Sequence, residues 1–224
     1  SNEHPEALER LIPTEDDEAR VRAAVKRLKA ATRMTVTSAT GSDLAVDMTG
    51  AATVGIWGFT AEPGTLQHVP AGLVVSFPRK ATTNGRLVFA PGDVNLTFKR
   101  YFETAVTATL ENDYITRIDG TGTDAELMRR SLAAWGDRDA YAVSHVGFGM
   151  NERARLEALT MYDQRDTNGT EIRAVAGNSL FPTGANEFAG RFTAGHFDLP
   201  MMETTIKLDG EAVVENGRLL PVFG

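Results

Sequence analysis

The chain contains no cysteine. That excludes disulfides, thiolate zinc sites, iron–sulfur clusters and cysteine nucleophiles. Any metal must therefore be held by histidine, aspartate, glutamate, tyrosine or backbone oxygen. Histidine is itself scarce: His4, His68, His145 and His196 are the only four among 224 residues. Long apolar runs are missing too. Stretches such as Ala71–Val75 fall far short of the roughly 20 residues that span a bilayer, and the start shows no signal-peptide pattern. Positive charge is scattered and outnumbered, 23 lysines and arginines against 30 acidic residues for a net charge of -7, which argues against a nucleic-acid surface. A cytoplasmic protein with neither a nucleic-acid nor a membrane partner is the expectation.

What is present suits one sizeable core, since 42% of residues are hydrophobic and 24% charged. Residues 14–32 read as the clearest helix. Thr14 is a suitable N-cap, Glu15, Asp16 and Asp17 put negative charge in the first turn, and Val21, Ala24, Val25 and Leu28 follow helical spacing. A second helix is predicted over 124–135, with Gly136 to end it, and a shorter third over 152–159. Between and after them the pattern is β. Strands are predicted at 34–38, 43–48, 73–77, 86–90, 94–101, 104–110 and 114–118, with tight turns at Asn84-Gly85 and Asn216-Gly217, the latter joining 211–214 to 218–222. The fold class expected is α+β: a large, mostly antiparallel or mixed sheet with two or three helices. Ser1-Asn2 resembles a tag remnant, so 1–13 is read as remnant plus tail, with His4 in that tail. Residues 14–224 are read as a single catalytic domain.

The chemistry concentrates in Gly195-His196-Phe197-Asp198. In an extended strand residues i and i+2 share a face, so His196 and Asp198 would converge on one volume, as two ligands of one metal must. With His145, in Ser144-His145-Val146-Gly147-Phe148-Gly149, they would make a 2-His-1-carboxylate set, typical of non-haem Fe(II) oxygenases. Alone, an H-x-D triplet is common, and a separation of 51 residues from His145 says nothing about proximity. His68, before Val69-Pro70, is open to a structural or a proton-transfer role. Ser179 is open to turn formation or to a hydrogen bond with substrate, and Tyr162 to packing or to metal ligation. No G-x-S-x-G elbow and no dinucleotide fingerprint occurs.

His145-Val146-Gly147-Phe148-Gly149-Met150-Asn151 and Gly195-His196-Phe197-Asp198-Leu199-Pro200, with Gly64–Gly72, Asn84-Gly85 and Asn216-Gly217-Arg218, resemble the 2,5-dihydroxypyridine 5,6-dioxygenase family. That family is related in fold to the thermophilic-type metallo-aminopeptidases. The resemblance implies Fe(II) held by His145, His196 and Asp198, with His68 in acid–base chemistry near the substrate. It also implies a small aromatic substrate cleaved with O2, a homo-oligomer, and an amino-terminal domain preceding this stretch. The alternative is a metallo-aminopeptidase-like hydrolase using one or two zinc, cobalt or similar ions. The hydrolase branch would have a glutamate at position 145 and a second histidine before 196; this chain has neither.

Overall fold

The computed structural model describes residues 3–223; the expected tag remnant, Ser1-Asn2, lies outside them. Helices α1 and α2 cover Pro5–Arg10 and Glu15–Ala30. Strands β1 to β5 are Arg33–Ser38, Asp43–Asp47, Ala52–Ile56, Leu73–Phe77 and Thr83–Phe89. Strands β6 to β9 are Val94–Asn95, Arg100–Tyr101, Val106–Glu111 and Tyr114–Asp119, followed by α3 (Thr123–Ala134), β10 (Val146–Gly149) and α4 (Ala158–Met161). Strands β11 to β15 are Ser179–Leu180, Pro200–Met201, Thr204–Leu208, Glu211–Glu215 and Arg218–Leu219.

The α+β reading with a large antiparallel sheet holds. Apart from the two-stranded β6-β7 ribbon, one sheet has eight strands in the order β15-β14-β13-β1-β2-β5-β8-β9, and the other has five, β12-β11-β10-β4-β3. The main core lies between them. Met34, Val36, Leu87 and Phe89 of the large sheet meet Val74, Val146 and Phe148 of the small one. Strand alternation then turns Leu73, Val75 and Leu180 to the opposite face of the small sheet, where they form a separate apolar cluster. That second face carries the site.

Helix α2 begins as the sequence indicates. Thr14 and Asp17 form a reciprocal capping box, with Asp17 N–H donating to Thr14 Oγ1 at 3.2 Å and Thr14 N–H to Asp17 Oδ2 at 2.9 Å. Val21, Ala24 and Leu28 are its buried side. Gly55 of β3 lets the helix come close: a Cβ there would lie 2.6 Å from Val25. The stretch expected as a tail instead contains α1. His4 Nδ1 accepts from Glu6 N–H at 3.3 Å, and its ring stacks on Tyr162 at 4.3 Å. Both are thereby engaged at α1.

Three sequence expectations are corrected. Asn84-Gly85 is not a turn; both residues lie within β5, paired with Ala45 and Leu44 of β2. Gly85 is needed for close approach, since a Cβ would sit 2.2 Å from the Asp43 carbonyl, and its φ is +127°. Residues 94–101 are not one strand but a tight hairpin, β6 paired with β7. Asn95 Oδ1 accepts from Phe98 N–H at 3.1 Å, and Lys99 turns the chain at φ 52°. The third helix is α4, displaced to 158–161, because the predicted start at Glu152–Arg155 folds as turns around Asn151 and Glu171.

One ion pair ties these parts together. Asp113, in the β8–β9 turn, accepts from the backbone N–H groups of Ala81, Thr82 and Thr83 at 2.7–2.9 Å and from Arg191 at 2.9 Å. Arg191 also donates to the Val143 carbonyl at 2.7 Å, and both side chains are almost wholly buried. Removing one partner of such a pair strands the other charge. Arg191→Leu is therefore expected to lower stability in urea unfolding by about 3 kcal/mol. Loss of the exposed Glu126–Arg130 pair by Arg130→Ala is expected to leave the urea midpoint almost unchanged, because water screens the pair.

Asp93 gives a pH signature. It is buried at 5% exposure and accepts from Ala90 and Met202 N–H at 2.7 and 2.8 Å. Burial pushes its carboxyl up to about 6 from an ordinary 3.8, against the pull of those donors. The folded state then holds a proton that the unfolded state releases, so this group's contribution to stability falls as pH rises from about 4 to 6. Asp93→Asn removes that loss. Chemical denaturation across this range is expected to show the variant gaining about 2–3 kcal/mol relative to the parent chain as pH rises.

Candidate metal centre

Phe197 decides how the H-x-D segment sits. Its ring is 1% exposed and meets Phe98 edge-on at 5.3 Å between centroids. The segment is extended and hydrogen-bonded on both sides: Thr183 N–H donates to the Phe197 carbonyl at 2.9 Å, and Leu96 N–H to the Asp198 carbonyl at 3.0 Å. With Phe197 driven inward, its neighbours on either side face the other way. His196 Nε2 and Asp198 Oδ2 accordingly lie 3.6 Å apart.

His145 comes from the residue before β10. Val146 and Phe148 fill the main core, so His145 joins the face of Leu73, Val75 and Phe77. Its ring lies 5.2 Å from that of Phe77. Gly147 follows on the same face; a Cβ there would collide with the Val74 carbonyl at 2.0 Å, so the residue must be glycine for β10 to pair with β4. Ser144 sets the imidazole tautomer. Its hydroxyl donates its single proton to the Ala185 carbonyl at 2.6 Å, so the 3.2 Å contact with His145 Nδ1 is accepted by Ser144 Oγ. Nδ1 carries the hydrogen, and Nε2 is left with its lone pair.

Two cavities adjoin here. One, of about 280 Å3, is lined by His68 and His145 together with apolar residues of β3, β4 and β11 such as Ile56, Val75 and Leu180. The other, of about 310 Å3, is lined by His196, Asp198, Thr97 and Lys99. Thr170 and Arg173 line both and form their shared wall. Arg173 Nη1 donates to Asp198 Oδ2 at 3.1 Å. Among the described residues, no three His, Asp or Glu side chains close around one point; Arg173 lines both the cavity of His145 and that of His196 and Asp198.

The charges respond to one another. Burial pulls the His145 imidazole down to about 4, against the attraction of Asp198 and helped by repulsion from His196 and Arg173. The facing Asp198 carboxylate raises His196. Burial alone would raise Asp198, but His196, Arg173 and His145 together hold it below the usual carboxylate range. At neutral pH the site therefore presents a neutral His145, an ionised Asp198 and a permanent cation on that carboxylate.

His68 lies exposed at the mouth of the first cavity. The structure thus brings His68 and His145 to one cavity, and His196 and Asp198 to its neighbour. Ser179 is not among the residues lining either. It is 2% exposed in β11, and alternation turns it away from the face of Leu180. Tyr162 is likewise elsewhere, accepting from Arg10 at 3.2 Å. Sequence reasoning missed Thr170, Arg173 and Asn178. Buried Asn178 donates to the carbonyls of Ile172 and Arg173 at 2.6 and 3.2 Å and accepts from Gly149 N–H at 2.7 Å, which fixes the Arg173 backbone to the end of β10. Arg10 adds a two-bond ion pair to Glu171 at 2.7 and 2.8 Å. No local motif marks 170–178; its role arises only from where the chain brings it.

The family model described as 2,5-dihydroxypyridine 5,6-dioxygenase (NicX) matches residues 1–221. A curated relative of that name from Pseudomonas putida is 38% identical over 217 residues, covering 96% of this chain and 62% of the relative. A solved structure of 2,5-dihydroxypyridine dioxygenase from Pseudomonas putida superposes with a TM-score of 0.94 at 38% identity, over 98% of this chain and 63% of that one. AmpT from Thermus thermophilus superposes with a TM-score of 0.68 at 21% identity, over 96% of this chain and 57% of its own, a likeness of fold alone. The chain spans less than two thirds of the length of these relatives. No helix among the described residues is long and apolar enough to cross a membrane. With its match running through both histidine segments and nearly end to end, the chain belongs to the 2,5-dihydroxypyridine 5,6-dioxygenase family.

Proposed function

We propose that this chain is the catalytic part of a ring-cleaving dioxygenase, with Fe(II) held by His145, His196 and Asp198 and a 2,5-dihydroxypyridine-like substrate opened with O2. The observation that carries the reading is the His196–Asp198 pair at 3.6 Å beside the wall of the cavity that His145 enters. The donor set suits one such ion: two imidazoles and an ionised carboxylate, with His145 held neutral and its Nε2 lone pair free. A cation is already accommodated on Asp198, in the form of Arg173. Family membership favours this reading over the hydrolase alternative.

When bound, the metal would supply a centre at which a hydroxylated ring and O2 meet and share electron density. The protein's own groups do the rest. Ile56, Val75 and Leu180 exclude water and suit a flat ring. Ser144 holds the His145 ring so that Nε2 remains available. His68, at the cavity mouth, takes or returns the proton of a ring hydroxyl through an imidazole nitrogen.

His196→Ala and Asp198→Ala are expected to lose Fe(II) after anaerobic reconstitution while keeping the circular dichroism spectrum of the parent chain. Full iron stoichiometry in both variants would overturn the ligand assignment. His68→Gln is expected to keep iron and to lower kcat by about 100-fold or more, followed as O2 uptake with 2,5-dihydroxypyridine. An unchanged kcat would remove His68 from the chemistry.

A further inference from the structure

Arg173 sits on the oxygen that a metal would need. Of the two Asp198 oxygens, Oδ2 is the one facing His196 Nε2, and it is also the one that accepts from Arg173 Nη1 at 3.1 Å. Two of its features distinguish this arginine from a purely structural one. It has a single side-chain hydrogen bond among the described residues, to Asp198. Its side chain is also 35% exposed, whereas the structural Arg191 is 3% exposed and bonded to both Asp113 and Val143. The backbone beneath Arg173 is nonetheless fixed, by Asn178 to its carbonyl and by Arg10 to the neighbouring Glu171. The anchored residue thus carries a lightly held head group, and the cavity of about 280 Å3 at its side leaves room for that head to turn.

From this geometry we infer that Arg173 is an internal competitor for the metal: it holds Asp198 Oδ2 by hydrogen bond and charge, and it must leave that oxygen for a divalent ion to bind there. The inference rests on the ligand reading above. A divalent ion and a guanidinium on one carboxylate oxygen repel each other in a partly desolvated wall. Metal loading therefore costs the Arg173–Asp198 contact, and in the loaded state the guanidinium is released toward the cavity shared with His68 and His145. Arg173 is on this view a positioning residue that weakens metal affinity, opposite in sign to the usual partner that supports a ligand and whose loss weakens binding about 10- to 100-fold.

The sign is the test. Co(II) titrations of the full chain, followed by absorbance and by the metal-induced rise in Tm, would compare the parent with Arg173→Met, Arg173→Gln and Arg173→Lys. Both neutral variants are expected to bind Co(II) about tenfold more tightly, in line with the loss of one charge-assisted hydrogen bond. Their metal-induced rise in Tm should exceed that of the parent. Arg173→Lys keeps the charge and should stay near the parent. Should one neutral variant fail to fold by circular dichroism, the other carries the comparison. Equal or weaker Co(II) binding by a folded neutral variant overturns the competition while leaving the ligand assignment standing. A parent chain that binds no Co(II) overturns the ligand assignment itself, and the competition with it.

Discussion

The buried Asp113–Arg191 pair is the constraint on which the arrangement depends. Asp113 gathers three backbone donors at the start of β5 and receives Arg191 from the far end of the chain. Arg191 passes the constraint on by holding the Val143 carbonyl, two residues before His145. It lies five residues before His196 and seven before Asp198. One guanidinium thus sets the relative placement of both strips of chain that carry candidate ligands. A group with this burial and this many partners cannot slip without leaving charge unpaired, so the site inherits its rigidity from a contact outside it.

From there the site is built by alternation. Phe197, Val146 and Phe148 are driven into the main core, and each turns its neighbours outward. The hydrophobic effect therefore orients polar groups that contribute nothing to the core. Two imidazoles and a carboxylate come to one side of a small sheet because the residues between them are apolar. Glycine supplies the complementary condition. At Gly147 a side chain would strike the backbone of β4, so the strand that delivers His145 pairs only because that position is bare.

Much of this was legible in the chain. The α2 helix, its Thr14 N-cap, the β1–β2 and β14–β15 hairpins and the shared face of His196 and Asp198 all follow from local rules that operate within a few residues. Asn84-Gly85 shows where those rules fail. The same dipeptide that closes a hairpin lies within β5, because Gly85 must pass the Asp43 carbonyl, a requirement imposed by a partner strand some forty residues away. Residues 94–101 fail similarly: alternation was present, but Asn95 and Lys99 close a turn on it. Arg173 and Asn178 carried no signal at all, since their partners Asp198 and Gly149 lie 25 and 29 residues distant.

By itself the sequence determined which donors are available: no thiolate, few histidines, and one H-x-D pair whose spacing turns two donors to one side of an extended strand. It also determined the family, through segments that retain their order. Tertiary structure alone decided that His145 faces an apolar cavity with His68, that Ser179 faces away, and that an arginine stands on Asp198. The division has a physical reason. Which face a side chain takes is a matter of backbone geometry over two or three residues, whereas which charge it meets depends on the packing of sheets and turns joined only through the folded core.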